Sequence, residues 1–189
     1  MVKQRRAALL LVDLQNDFSM RSSEHRDADR FLFSFSSLIR AARRAGHEVI
    51  WVHTEPNEPG KQSNHLLSQL PEALEAFVSR ADLVISKRRL SAFQGTELLE
   101  HLCGGEIEQL YLLRGLSNMS ARATITDACY QGFDVCVIDD DLAKIPPEIY
   151  MDAARAMPLH DLQLTSFAAV MHDWSRPLAS EQPLFGVAS

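Results

Sequence analysis

At 189 residues and 46% hydrophobic content, the chain has the size of a single domain that buries its own core without staples. Its 19 Lys and Arg against 25 Asp and Glu give a formal net charge of -6 with no long basic run, which argues against a nucleic-acid surface. The longest apolar run, Ala7 to Val12, is too short to cross a bilayer, and no signal-peptide cleavage pattern follows Met1 to Arg6. A soluble, cytoplasmic protein with no membrane partner is expected.

Short apolar runs alternate with amphipathic stretches along the chain, the pattern of β-α units around a parallel sheet. Six strands are expected: Ala7 to Val12, Glu48 to His53, Leu83 to Ser86, Gln109 to Leu113, Asp134 to Ile138 and Leu162 to Thr165. Each is apolar enough to be covered on both faces. Between the first two, Asp29 to Ala45 places Phe31, Leu32, Phe35, Leu38, Ile39 and Ala42 on one helical face, closed by Gly46. Glu55 to Asn64, rich in Pro, Gly and Asn, reads as an irregular loop. Thr96 to Leu102 predicts a short helix closed by Gly104 and Gly105, and Asn118 to Gln131 another closed by Gly132; these glycines are expected to be left-handed caps. A further helix is expected over Glu148 to Ala156, and Ser166 caps a last one reaching Trp174. A polar, Pro-containing tail follows Pro177.

Three of these strands end in a residue able to do chemistry. Asp13 follows Leu9 to Val12, Lys87 follows Leu83 to Ser86, and Ser120 lies shortly after Leu110 to Leu113. In a parallel sheet all three lie along the carboxyl edge, where open α/β sheets bind ligands. Ser120 falls near the first turn of a helix, where the positive dipole end and free backbone N–H groups stabilise a nucleophile or an oxyanion. Each residue also has a plainer reading. Asp13 could cap a loop, Lys87 could belong to an exposed basic run with Arg88 and Arg89, and Ser120 could be a helix-start hydrogen-bonding residue.

The strings DLQNDF, K-x-x-x-S-A-F-x-G-T and S-N-x-x-A-x-x-T-x-x-D-A occur here in the order and spacing of the isochorismatase-like cysteine hydrolases, and the chain resembles that family over nearly its whole length. The resemblance implies a three-layer α/β/α fold with strand order 3-2-1-4-5-6, a homodimer or homotetramer, and an Asp, a Lys and a nucleophilic Cys. These map onto Asp13, Lys87 and position 120, where this chain carries Ser. Ser117 stands where the family usually has Thr, and Arg114-Gly115 where it reads Gly and then a hydrophobic residue. In the family the Ser91 to Thr96 string holds the lysine towards the aspartate, an arrangement that would keep Asp13 charged.

Asp13, Lys87 and Ser120 are therefore the candidate catalytic residues, with Asp17 a weaker turn residue. Arg88, whose guanidinium matches a carboxylate with two hydrogen bonds, is the first candidate for binding substrate, together with Phe18, His53, Ser117 and Leu116. The family's nicotinamidases bind a metal through an Asp and paired histidines beyond the second strand. Here His53-Thr54-Glu55-Pro56 offers no close second His, and His65 is distant, so no metal is expected. His160 and His172 have no recognisable companions, and no glycine-rich phosphate loop or other cofactor motif is present. Cys103, Cys129 and Cys136 are odd in number and form no C-x-x-C pair, which indicates neither a disulfide framework nor a zinc site. Buried or half-buried positions are expected for all three. Cys129, nine residues beyond Ser120, falls on the opposite helix face and cannot replace the missing thiol.

Three functions remain open from these residues. One is a hydrolase of a small amide or ester through Asp13, Lys87 and Ser120. Another is an isochorismatase-like use of Asp13 as general acid on a vinyl ether. The last is a binding or assembly protein that kept the scaffold and lost the thiol.

Overall fold

The computed structural model describes residues 6–14, 25–55, 72–114, 118–138 and 162–175. Its six strands are β1 (Arg6–Val12), β2 (Glu48–Thr54), β3 (Leu83–Lys87), β4 (Ile107–Arg114), β5 (Asp134–Ile138) and β6 (Leu162–Thr165). All neighbouring pairs are parallel, in the order β3-β2-β1-β4-β5-β6. The described helices are α1 (His25–Arg44), α2 (Glu72–Glu75), α3 (Leu98–Gly104), α4 (Asn118–Tyr130) and α5 (Phe167–Ser175). Chain order reverses between β1 and β4, the switch point at which such sheets open a crevice.

Alternation along β1 explains the three layers. Leu9 and Leu11 point to a core shared with Phe35, Leu38, Ile39 and Ala42 of α1 and Val170 and Trp174 of α5. Ala8, Leu10 and Val12 point the other way, against Leu98 and Leu102 of α3 and Ile125 and Ala128 of α4. At about 1.5–3 kcal/mol for each fully buried large apolar side chain, a strand buried on both faces anchors the register of its neighbours. The apolar run therefore fixes where Asp13 emerges.

The structure corrects several expectations. β6 is an edge strand of the described sheet, and its Leu164 remains 54% exposed. Val84 of the opposite edge strand is also exposed, so burial on both faces holds for the inner strands. Cys103 is exposed, while Cys129 is half-buried and Cys136 buried. Gly46 and Gly132 take the left-handed conformation as expected, but Gly104 and Gly105 do not: Gly104 is the last residue of α3, Gly105 has φ -80°, and Glu106 is the left-handed residue, at 53°. Space at 105 is tight, since a Cβ there would meet Glu48 Oε1 and the His101 carbonyl oxygen at 3.3 Å. The one-turn helix α2 has no counterpart in the sequence reading. Ser166 does cap α5, its Oγ accepting from the Ala169 N–H at 3.2 Å. The expected helix Glu148 to Ala156, the tail after Pro177 and all but Glu55 of the Glu55 to Asn64 loop lie outside the described residues. No helix among the described residues is long and apolar enough to cross a membrane.

His47, in the turn between α1 and β2, stacks on Tyr111 (ring centroids 6.1 Å apart) and meets Trp174 edge-on at 5.1 Å. Burial disfavours its imidazolium and pushes its pKa below 6.5. As pH falls through about 6.5, the unfolded chain binds a proton that the folded chain refuses, so stability declines on the acid side. Thermal unfolding should therefore show a smaller drop in Tm between pH 7.5 and 5.5 for His47→Phe than for the wild type. Equal drops would mean that His47 does not contribute to the acid sensitivity.

Candidate active site

The backbone turns sharply where β1 ends. Asp13 adopts φ 53°, a left-handed conformation that costs a non-glycine residue about 1–2 kcal/mol, and its N–H is held by the Val52 carbonyl at 2.9 Å. This turn places the carboxylate at the sheet edge, on the side covered by α3 and α4, with the residue only 6% exposed.

Lys87 comes from β3, two strands away across β2. At about 4.8 Å between strands the gap is about 10 Å, which only a long side chain can close. The stem is buried and the ammonium reaches Asp13 Oδ2 at 2.9 Å. It also donates to Thr54 Oγ1 at 2.8 Å and to the Arg89 carbonyl at 3.2 Å, so its three donors meet three acceptors. Ser120, in the first turn of α4 and buried, donates its hydroxyl to Asp13 Oδ2. Thr54, at the end of β2, donates to Asp13 Oδ1 at 2.8 Å. The carboxylate thus accepts from Thr54 on one oxygen and from Ser120 and Lys87 on the other.

The other motif residues hold these groups in place. Ser120, Thr124 and Asp127 recur at helical spacing along α4, and the loop after Lys87 docks on the last two. Buried Thr124 Oγ1 accepts the Ala92 N–H at 3.0 Å, and Asp127 Oδ2 accepts from Gln94 Nε2 at 3.2 Å. Within the loop, Ser91 Oγ accepts the Phe93 N–H, Thr96 Oγ1 donates to the Ala92 carbonyl, and Gly95 turns at φ 73°. Thr124→Val keeps the shape but orphans the Ala92 N–H, and should cost about 1–3 kcal/mol in urea unfolding. A cost below about 0.5 kcal/mol would show that Thr124 does not carry the joint.

Arg88 is paired with Glu55 at the exit of β2. It is mostly exposed, and its Nε donates to Glu55 Oε2 at 2.6 Å. Together with a hydrogen bond from Ser86 Oγ, this guanidinium holds the Glu55 carboxyl below the usual carboxylate range. His53 is buried and, one residue from Thr54 along β2, points to the opposite face of the sheet, towards α1. Phe18, Leu116 and Ser117 lie outside the described residues, as do Asp17, His65 and His160. His172 is exposed on α5, with Nδ1 3.6 Å from Asp173. Among the described residues, no group of three or more His, Cys, Asp or Glu is arranged to hold a metal. Cys129 packs against the core at the far end of α4, about 13 Å along the helix from Ser120. Thr54 was not singled out by sequence; the signal is a hydroxyl at the end of the strand that lies between those of Asp13 and Lys87.

A parallel sheet in this order, with an acid, an ammonium and a hydroxyl joined at its switch point, defines an α/β hydrolytic scaffold. The isochorismatase domain family matches residues 7–172, and the chain belongs to that family. A curated relative from Arabidopsis thaliana, named probable inactive nicotinamidase, is 26% identical over 196 residues, covering 93% of this chain and 97% of its own. Among solved structures, an isochorismatase-like hydrolase from Alkaliphilus metalliredigens superposes with a TM-score of 0.68 at 18% identity, covering 89% of this chain and 99% of its own. N-carbamoylsarcosine amidase from Thermoplasma acidophilum does so with a TM-score of 0.65 at 24% identity, covering 86% and 96%. These two establish the fold.

Proposed function

We propose that the chain hydrolyses a small amide or ester, with Asp13 as the acid/base and Ser120 as the hydroxyl it activates. The observation that carries this reading is the hydrogen bond from Ser120 Oγ to Asp13 Oδ2, the oxygen that Lys87 also holds. A nucleophile joined to its base, and a base joined to an orienting group, is the arrangement that covalent catalysis requires. Asp13 takes the Ser120 proton as Oγ attacks the carbonyl carbon. It then returns that proton to the departing amine or alcohol, and water, deprotonated by the same carboxylate, releases the acid and regenerates the hydroxyl. The N–H groups at the start of α4 lie where a developing oxyanion is stabilised. A vinyl ether would need Asp13 to enter the reaction carrying a proton beside the Lys87 ammonium, whereas the amide or ester reading uses the ion pair as it stands.

A second reading, a binding protein on an impaired hydrolase scaffold, is favoured by one observation. Asp13 accepts from three groups at once, which ties up the carboxylate that must act as base. The word inactive in the Arabidopsis relative's name agrees with this reading. Turnover of a panel of small primary amides, carbamoyl compounds, acyl esters and vinyl ethers separates the two. The hydrolase reading expects one class to turn over, with Asp13→Asn and Ser120→Ala each lowering kcat/KM at least about a hundredfold. A vinyl ether processed equally by Ser120→Ala would move the chemistry to Asp13 alone. No turnover of any member would put the binding reading first.

A further inference from the structure

We infer that Thr54 is a positioning residue of this site, which fixes the carboxylate of Asp13 so that one oxygen, Oδ2, is reserved for Ser120. The inference rests on the reading of Asp13 as the base. Thr54 Oγ1 accepts from Lys87 Nζ at 2.8 Å and donates to Asp13 Oδ1 at 2.8 Å, while Lys87 Nζ contacts Asp13 Oδ2 directly at 2.9 Å. The three side chains close a ring through both oxygens of the carboxylate. A carboxylate turns about a broad, soft terminal torsion, so one held at a single oxygen can still swing and exchange its two oxygens. Held at Oδ1 by Thr54, it cannot turn without breaking that bond.

The position suits the task. Thr54 ends β2, the strand between those that carry Asp13 and Lys87, and is paired with Lys87 in the β2–β3 register. Its hydroxyl therefore stands in the path by which the ammonium crosses to β1. A group that both accepts and donates is required at this point: a carbonyl could not donate to Asp13, and an ammonium could not accept from Lys87. Because the side chain is β-branched, with a restricted χ1, the hydroxyl is held in place by its own strand.

The test avoids dependence on an unidentified substrate by reading the site with a thiol. In S120C, the rate of alkylation by iodoacetamide at pH 7, after subtraction of the rate for wild-type protein treated identically, reports how the Asp13 and Lys87 pair sets the proton balance at position 120. Adding T54V should slow this labelling at least about fivefold, and adding T54S, which returns the hydroxyl, should restore it to within about twofold. Thermal melting of each protein establishes that it is folded; should T54V not fold, T54A removes the same hydroxyl. The inference is overturned if a folded variant without the hydroxyl labels within about twofold of S120C, or if T54S is slowed as much as T54V. A wild-type chain that turns over no substrate while this pattern holds would sink the hydrolase reading and leave the role of Thr54 standing.

Discussion

Ser120→Cys should create a thiol that alkylates about tenfold faster at pH 7 than an exposed model thiol. An ordinary thiol, with a pKa of about 8.5, is only about 3% ionised at that pH. The start of α4 supplies up to about 2 kcal/mol for a negative charge, or about thirtyfold in the ionisation constant, part of which is offset because a more acidic thiolate attacks more slowly. Lys87 lies one atom beyond, on the same Asp13 oxygen that Ser120 contacts, and adds positive charge. Asp13→Asn, which removes the proton acceptor, and Lys87→Met, which removes the cation, should each slow the labelling. Cys103 is exposed and will also react, so wild-type protein is the control. If the new thiol reacts no faster than the model compound and ignores both second changes, the family chemistry does not carry over and the binding reading moves ahead.

Lys87→Met should destabilise the fold by about 3–5 kcal/mol, because it leaves the Asp13 carboxylate buried without its counter-ion. Against a total stability of about 5–15 kcal/mol for a domain, that is a large share. The reciprocal change, Asp13→Asn, strands a buried ammonium and should cost a similar amount. The double variant, with no charge left to bury, should recover at least about 1 kcal/mol relative to Lys87→Met alone, since neither partner is then uncompensated. Urea unfolding at pH 7 measures all three. A single-variant cost below about 1 kcal/mol would mean that the pair is solvated like a surface ion pair.

The parts of this fold that could be read from sequence are those fixed by local pattern. β1 was legible because six consecutive apolar residues, too few for a buried helix, fit a strand covered on both sides, and the first polar residue after them then emerges at the sheet edge. The same logic placed Lys87 and Ser120 at that edge. Thr54 was hidden because its importance depends on β2 lying between β1 and β3, a fact of topology and not of local composition. The ion pair of Arg88 was hidden for a related reason: its partner Glu55 lies 33 residues away, on the adjacent strand's exit. Gly105 reads as a left-handed cap by residue type, yet its special feature is the close approach of Glu48, which belongs to another element. The edge position of β6 was implied by the family strand order, whereas the exposure of Leu164 and Cys103 depends on packing that residue type does not encode.

The joint between the loop of Ala92 and helix α4 separates two tasks that share one helix. Thr124 and Asp127, one and two turns beyond Ser120, anchor the loop that follows Lys87, and Ser120 takes no part in that anchorage. The side chain at 120 can therefore be exchanged between hydroxyl and thiol while the frame that aims Asp13 and Lys87 stays assembled. On the hydrolase reading, the reactive atom is a replaceable part set in a fixed mount, so a hydroxyl-to-thiol exchange at 120 leaves the anchorage of the loop untouched.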